Sequence, residues 1–130
     1  MEKKRRFHYG GTLRIFGRDK AFGPGLTELL RKVEQTGSLQ KAAVSMGMSY
    51  SKAWKILKTA EEEWGFPMTD RETGGRDGGG SRLTDEGKQV LARYEAFAEE
   101  AKEQLDRLFE KHFPEAWVDS LPCNKNHRNI

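Results

Sequence analysis

Apolar residues recur at helical spacing through most of this chain, and glycine, proline and capping residues divide them into segments. Ahead of the first helix, Leu13 and Ile15 alternate with Thr12, Arg14 and Phe16, which predicts a strand over Tyr9–Phe16. Gly23-Pro24-Gly25 stops it, and Pro24 suits the first turn of a helix. Leu26, Leu29, Leu30 and Val33 then form an amphipathic stripe that ends at Gly37. Ser38 is a good N-cap for a short second helix, Leu39 to Met46, whose Ala42-Ala43 pair lets another helix cross closely. Gly47 can take the left-handed conformation of a sharp turn, and Met48 plugs the corner. Ser49 caps a third helix running to about Trp64, with Ala53, Leu57, Ala60 and Trp64 turned inward and Ile56 widening the stripe. Two helices joined by a short glycine-containing turn, the second capped and basic, are what a helix-turn-helix requires.

Beyond Gly65 the pattern changes. Phe66 to Arg71 is extended, because the residue before Pro67 avoids the helical region. Residues 74–80 hold five glycines, and Ser81-Arg82-Leu83 returns as a short strand. Strand, glycine tip and strand after a capped helix predict a wing. Thr84 caps a final helix over residues 85–113, along which Leu91, Tyr94, Ala98, Ala101, Leu105 and Leu108 alternate spacings of 3 and 4. So narrow a stripe on so polar a helix wants a partner, most economically a second copy of the chain. Pro114 stops the helix, and residues 114–130 read as a loosely ordered tail. The predicted fold is mainly α with a small β wing. A winged helix-turn-helix domain over 1–113 includes the dimerisation helix, and the tail follows.

Composition sharpens this picture. The 130 residues suffice for one domain with its own core, but only 35% are hydrophobic and 33% are charged, which suits long exposed helices and not a buried parallel sheet. No run approaches the ~18 apolar residues of a membrane span, and the basic start Met1 to Arg6 lacks a signal-peptide core. The single Cys123 forms no internal disulfide, so a reducing cytoplasm is expected. The net charge of +3 is matched by the first six residues alone. Residues 37–60 carry Lys41, Lys52, Lys55 and Lys58 with no acid, whereas residues 61–72 carry five acids against Arg71. Segregation of that kind suits one local basic element and not bulk attraction to polyanions.

The outward side of the third helix and its margins hold the candidate chemistry. Ser49, Tyr50, Ser51 and Lys52 lie in or beside the first turns, where hydroxyls and ammonium groups can meet base edges in a major groove. Lys55 and Lys58 also reach toward phosphates. Trp54 sits one residue off the inward stripe, either partly packed with an exposed edge or stacked on sugar-phosphate. Arg71, Arg76 and Arg82 supply the wing's positive charge, and Arg76 could enter a narrow minor groove. The glycine loop lacks the Gly-Lys-Ser/Thr ending of a P-loop. Catalysis and metals find no support: His8, His112 and His127 are scattered, and Cys123 with His127 gives two ligands where zinc needs three or four. The Glu61–Glu63 run reads as a solvated helix end. Neither an enzyme nor a cofactor is expected.

The residues Thr36-Gly-Ser-Leu39, Ala42-Ala43, Met48-Ser-Tyr-Ser-Lys-Ala-Trp54, Thr73-Gly-Gly-Arg-Asp-Gly-Gly-Gly80 and Leu83-Thr-Asp-Glu-Gly87 resemble the N-terminal DNA-binding domain of the ModE family of molybdate-responsive transcriptional regulators. LysR-type winged helices are similar from Ser49 to Arg71 and around Leu83, but usually without the glycine-rich wing. The resemblance covers roughly residues 11–110. It implies a homodimer on a palindromic operator, with Ser49, Tyr50, Ser51, Lys52, Lys55 and Lys58 facing double-stranded DNA. Full-length members continue into small β-domains that bind molybdate between subunits, and the sequence ends before such a segment. No molybdate ligand is therefore carried over, and the effector is left open. Two other readings stay open: an oxyanion sensor built on the glycine loop or dimer groove, and an adaptor that uses the seam of the last helix.

Overall fold

The computed structural model describes residues 5–71 and 80–122. The chain divides into two compact units, one spanning Thr12–Ala98 and the other combining Met1–Gly11 with Glu99–Ile130.

The larger unit opens with a hairpin. Strands β1 (Ile15–Phe16) and β2 (Lys20–Phe22) pair antiparallel around a bulge between Ile15 and Phe16. The predicted strand Tyr9–Phe16 thus shrinks to its last two residues, since only they find a ladder partner. Helix α1 (Pro24–Thr36) starts on Pro24 and buries Leu26, Leu29, Leu30 and Val33. Gly37 ends it in the left-handed conformation, φ 73°, with its N–H donating to Val33 O. Helix α2 (Leu39–Ser45) is capped by Ser38, whose Oγ accepts from the Lys41 N–H at 3.2 Å. The Met46 N–H is shared between the carbonyls of Ala42 and Ala43, and the Met48 N–H returns to Ala43 O at 3.0 Å. With Gly47 at φ 70°, these bonds make the turn tight. Helix α3 (Tyr50–Trp64) follows, capped by Ser49 Oγ accepting from the Lys52 N–H at 3.1 Å.

Strands β3 (Thr69–Arg71) and β4 (Ser81–Leu83) pair antiparallel, with Thr69 opposite Leu83, Asp70 opposite Arg82 and Arg71 opposite Ser81. The Ser81 N–H also donates to Gly37 O at 2.7 Å, which fastens β4 to the end of α1. Helix α4 (Asp85–His112) begins where Thr84 makes three bonds. Its N–H donates to Met68 O at 2.9 Å, its Oγ1–H donates to Pro67 O at 2.8 Å, and its Oγ1 accepts from the Gly87 N–H at 2.9 Å.

Phe22, Leu29, Leu30, Val33, Met68 and Leu91 are the largest fully buried side chains. Here two expectations about α4 need correction. Leu91 and Tyr94, placed by their spacing on a partner-facing seam, belong to this core at 1% and 5% exposure. Tyr94 lies 4.9 Å from Phe22 between ring centroids, and its hydroxyl donates to Leu13 O at 2.8 Å. Burial raises the Tyr94 pKa above 10.0 against the opposing pull of Arg14, so the phenol stays a neutral donor.

In the smaller unit, the Arg5 guanidinium bonds Glu110 at 2.7 Å and Phe113 O at 3.1 Å, and lies 5.1 Å above the Phe109 ring. The Tyr9 hydroxyl donates to Asp106, whose carboxyl is lowered first by that bond and then by Lys102. The tail expected to be loosely ordered instead begins with helix α5 (Glu115–Ser120), anchored by buried Val118. Only the short apolar set Val118, Trp117 and Leu121 signals it, too little for periodicity to register.

Gly87 decides how closely α4 can approach the Met68 backbone ahead of β3. A Cβ there would lie 2.4 Å from Met68 O and 3.0 Å from Met68 Cα. Gly87→Ala is therefore expected to lower stability in urea denaturation by about 1–3 kcal/mol, although alanine is the better helix former. Unchanged or raised stability would contradict this close approach.

Candidate nucleic-acid interface

The cap and the turn together determine what α3 presents. Ser49 Oγ accepts the cap bond, and its hydroxyl hydrogen stays free to donate. Tyr50, Ser51 and Lys52 follow in the first turn and are exposed, with Tyr50 at 38%. One turn on, Lys55 is exposed, and among the described residues neither Lys52 nor Lys55 forms an ion pair. Tyr50, Ser51, Lys52 and Lys55 thus leave two hydroxyls and two ammonium groups on one exposed stretch of helix. Such a set can meet both base edges and phosphates.

Lys58 is different. Its Nζ sits 3.1 Å from Glu61 Oε1 and 5.6 Å from the centroid of the Trp54 ring. Trp54 is half exposed at 49%, so one edge is open while the lysine lies over its face. Of the wing residues, Arg82 is exposed on β4 opposite Asp70. Arg71 belongs to β3, while Arg76 and the glycines of 74–79 lie outside the described residues.

The acids after α3's basic stretch are not a solvated helix end, which corrects the expectation for 61–63. Glu61 is buried at 8% exposure, and its Oε2 accepts from the Met68 N–H at 2.7 Å. Glu63 Oε1 accepts from the Arg18 N–H at 2.6 Å. Trp64, expected inside, is 36% exposed, with its indole N–H donating to Ala21 O at 2.9 Å. The inward stripe therefore ends on Glu61 because the Met68 N–H, one residue ahead of β3, needs an acceptor there. One signal for this was present: Glu61 stands four residues after Leu57, in line with the stripe.

Along α4 the later seam positions differ from Leu91 and Tyr94. Ala98 and Ala101 are half-buried, while Leu105 and Leu108 are each 47% exposed. Among the described residues no group of three His, Cys, Asp or Glu side chains could hold a metal ion. No described helix is long and apolar enough to cross a membrane.

Residues 25–88, from the start of α1 to the first turn of α4, match the family described as bacterial regulatory helix-turn-helix protein, lysR family. The chain is also similar to "Molybdenum transport protein ModE" of Azotobacter vinelandii, at 40% identity over 83 residues, 64% of this chain and 31% of that protein. "Molybdenum transport protein ModE" of Herbaspirillum seropedicae is 36% identical over 73% of this chain and 33% of its own length. "DNA-binding transcriptional dual regulator ModE" of Escherichia coli (strain K12) is 29% identical over 78% of this chain and 36% of its own length. The chain spans about a third of the length of the curated relatives it matches. Residues 25–88 thus carry a helix-turn-helix domain of the bacterial regulatory lysR type, and the relatives that this chain resembles over about a third of their length are named ModE.

Proposed function

We propose that this chain is a sequence-specific, DNA-binding transcriptional regulator of the ModE type that acts as a homodimer on a palindromic operator. The observation that carries the reading is the acid-free exposed set Tyr50, Ser51, Lys52 and Lys55 on the first turns of α3, held by the tight turn from α2. In this reading α3 enters the major groove of double-stranded DNA. Ser49, Tyr50, Ser51 and Lys52 address base edges there, and Lys55 addresses a guanine or a phosphate. Arg71, Arg76 and Arg82 place the wing's charge along the backbone. The protein works in the cytoplasm, by binding and not by catalysis. No effector is assigned, and no residue is given to an oxyanion.

Dimerisation falls to the later half of the seam. Exposed Leu105 and Leu108, with Ala101 one turn before, supply apolar side chains that their own unit leaves open. A twofold pairing would present two α3 helices to half-sites about one DNA turn apart, roughly 34–36 Å. Residues 85–113 as a docking helix for a different protein is the competing outcome.

Four results are expected. The purified chain binds DNA from upstream of its own gene more tightly than random DNA and loses affinity as salt rises; equal affinity or no salt dependence would contradict the reading. Lys55→Ala weakens that binding by about 1–3 kcal/mol if Lys55 reads a base. If Lys55 meets only phosphate, the loss is similar on every sequence and the salt slope falls by about one. The double change Leu105→Glu and Leu108→Glu converts a dimer to a monomer in light scattering with the thermal transition retained. Leu91→Ala instead lowers stability by about 2–5 kcal/mol. A wild-type chain that is monomeric until another protein is added would overturn the homodimer.

A further inference from the structure

Glu61 is the one acidic side chain of α3 that lies buried, at 8% exposure, yet it follows the helix's basic stretch by a single turn. Its two oxygens do different things. Oε2 accepts from the Met68 N–H at 2.7 Å, and Oε1 faces Lys58 Nζ at 3.1 Å. Met68 has no exposed surface, and its carbonyl receives the Thr84 N–H at 2.9 Å. One carboxylate therefore joins the far end of α3 to the residue just before β3, and it also takes up a lysine from the helix proposed to meet DNA.

The charges are unequal in freedom. Lys58 keeps 45% side-chain exposure, while Glu61 keeps 9%. A buried carboxylate cannot turn to solvent, so it holds its cation more firmly than an exposed partner would. The Trp54 face, 5.6 Å from Nζ, further restricts where that ammonium can go.

We infer that Glu61 is a positioning residue for DNA binding: it holds Lys58 against Trp54 and away from phosphate, while fixing the base of the wing to α3. The inference rests on the DNA-binding reading above. Its consequence is that the four lysines of residues 37–60 are not equivalent. Lys58 neutralises an internal acid and releases no counterion from DNA, whereas Lys55 counts fully.

The test is the salt dependence of DNA binding by the full chain and its Glu61→Gln, Lys58→Gln and Lys55→Gln variants, with thermal unfolding of each. The Glu61→Gln side chain keeps an acceptor for the Met68 N–H but loses the charge, so the fold is expected to persist while Lys58 becomes available. The slope of log K against log salt should then steepen by about 0.9, a roughly three- to fourfold larger loss of affinity over a fourfold rise in salt. Lys58→Gln should leave the wild-type slope unchanged, and Lys55→Gln should reduce it by about 0.9. Adding Lys58→Gln to Glu61→Gln should restore the wild-type slope, which a purely structural carboxylate would not produce. The inference is overturned if Lys58→Gln lowers the slope as Lys55→Gln does, or if folded Glu61→Gln keeps the wild-type slope. Should Glu61→Gln fail to fold, the Lys58→Gln arm decides alone. Absence of salt-dependent binding by the wild-type chain would remove the DNA-binding reading and this inference together. Failure of the Glu61 and Lys58 arms, with Lys55→Gln behaving as stated, would remove only the latter.

Discussion

The backbone of Met68 is the point on which the larger unit is hung. Its N–H donates to the Glu61 carboxylate and its carbonyl accepts from the Thr84 N–H, at 2.7 and 2.9 Å. Gly87 lets the first turn of α4 lie against the same peptide without a Cβ in the way. Helices α3 and α4 thus meet at one residue with no exposed surface, immediately ahead of β3. Buried backbone groups must find partners, and here the partners come from two different elements. The direction of the wing relative to α3 follows from those bonds, because β3 begins one residue later.

This explains how a chain with so few apolar residues can hold the outward face of α3 in a defined position. The core is dominated by α1, with Leu29, Leu30 and Val33 fully buried, and small residues let the helices close in. Ala42 and Ala43 of α2 and Ala53 and Ala60 of α3 are all buried, so backbones approach where larger side chains would hold them apart. What is left outward on α3 is its polar side. The cap at Ser49 fixes the first turn that carries Tyr50, Ser51 and Lys52.

Much of this was legible in the sequence, for reasons particular residues make plain. The α1 stripe, the caps at Ser38 and Ser49, the glycines that end α1 and α3, and the capped start of α4 each depend on local chemistry that a few neighbouring residues contain. Less legible was whatever depended on a distant partner. The seam on α4 is continuous in spacing, but spacing cannot say what covers it. The chain's own core claims Leu91 and Tyr94, while Leu105 and Leu108 stay exposed. Glu61 to Glu63 looked like one solvated run because charge reads the same whether or not a backbone N–H waits in the fold. Two of the three acids turn out to receive such donors. Strand β2 escaped notice because Arg18, Asp19 and Lys20 disguise a strand only three residues long.

The central claim is that two copies of α3 read DNA through a twofold arrangement. Selection of bound fragments from a random DNA library by the purified chain tests it most directly. The account predicts enrichment of an inverted repeat whose half-sites lie about one helical turn, roughly 10 base pairs, apart. Recovery of no common sequence, or of a single unrepeated site, would contradict it.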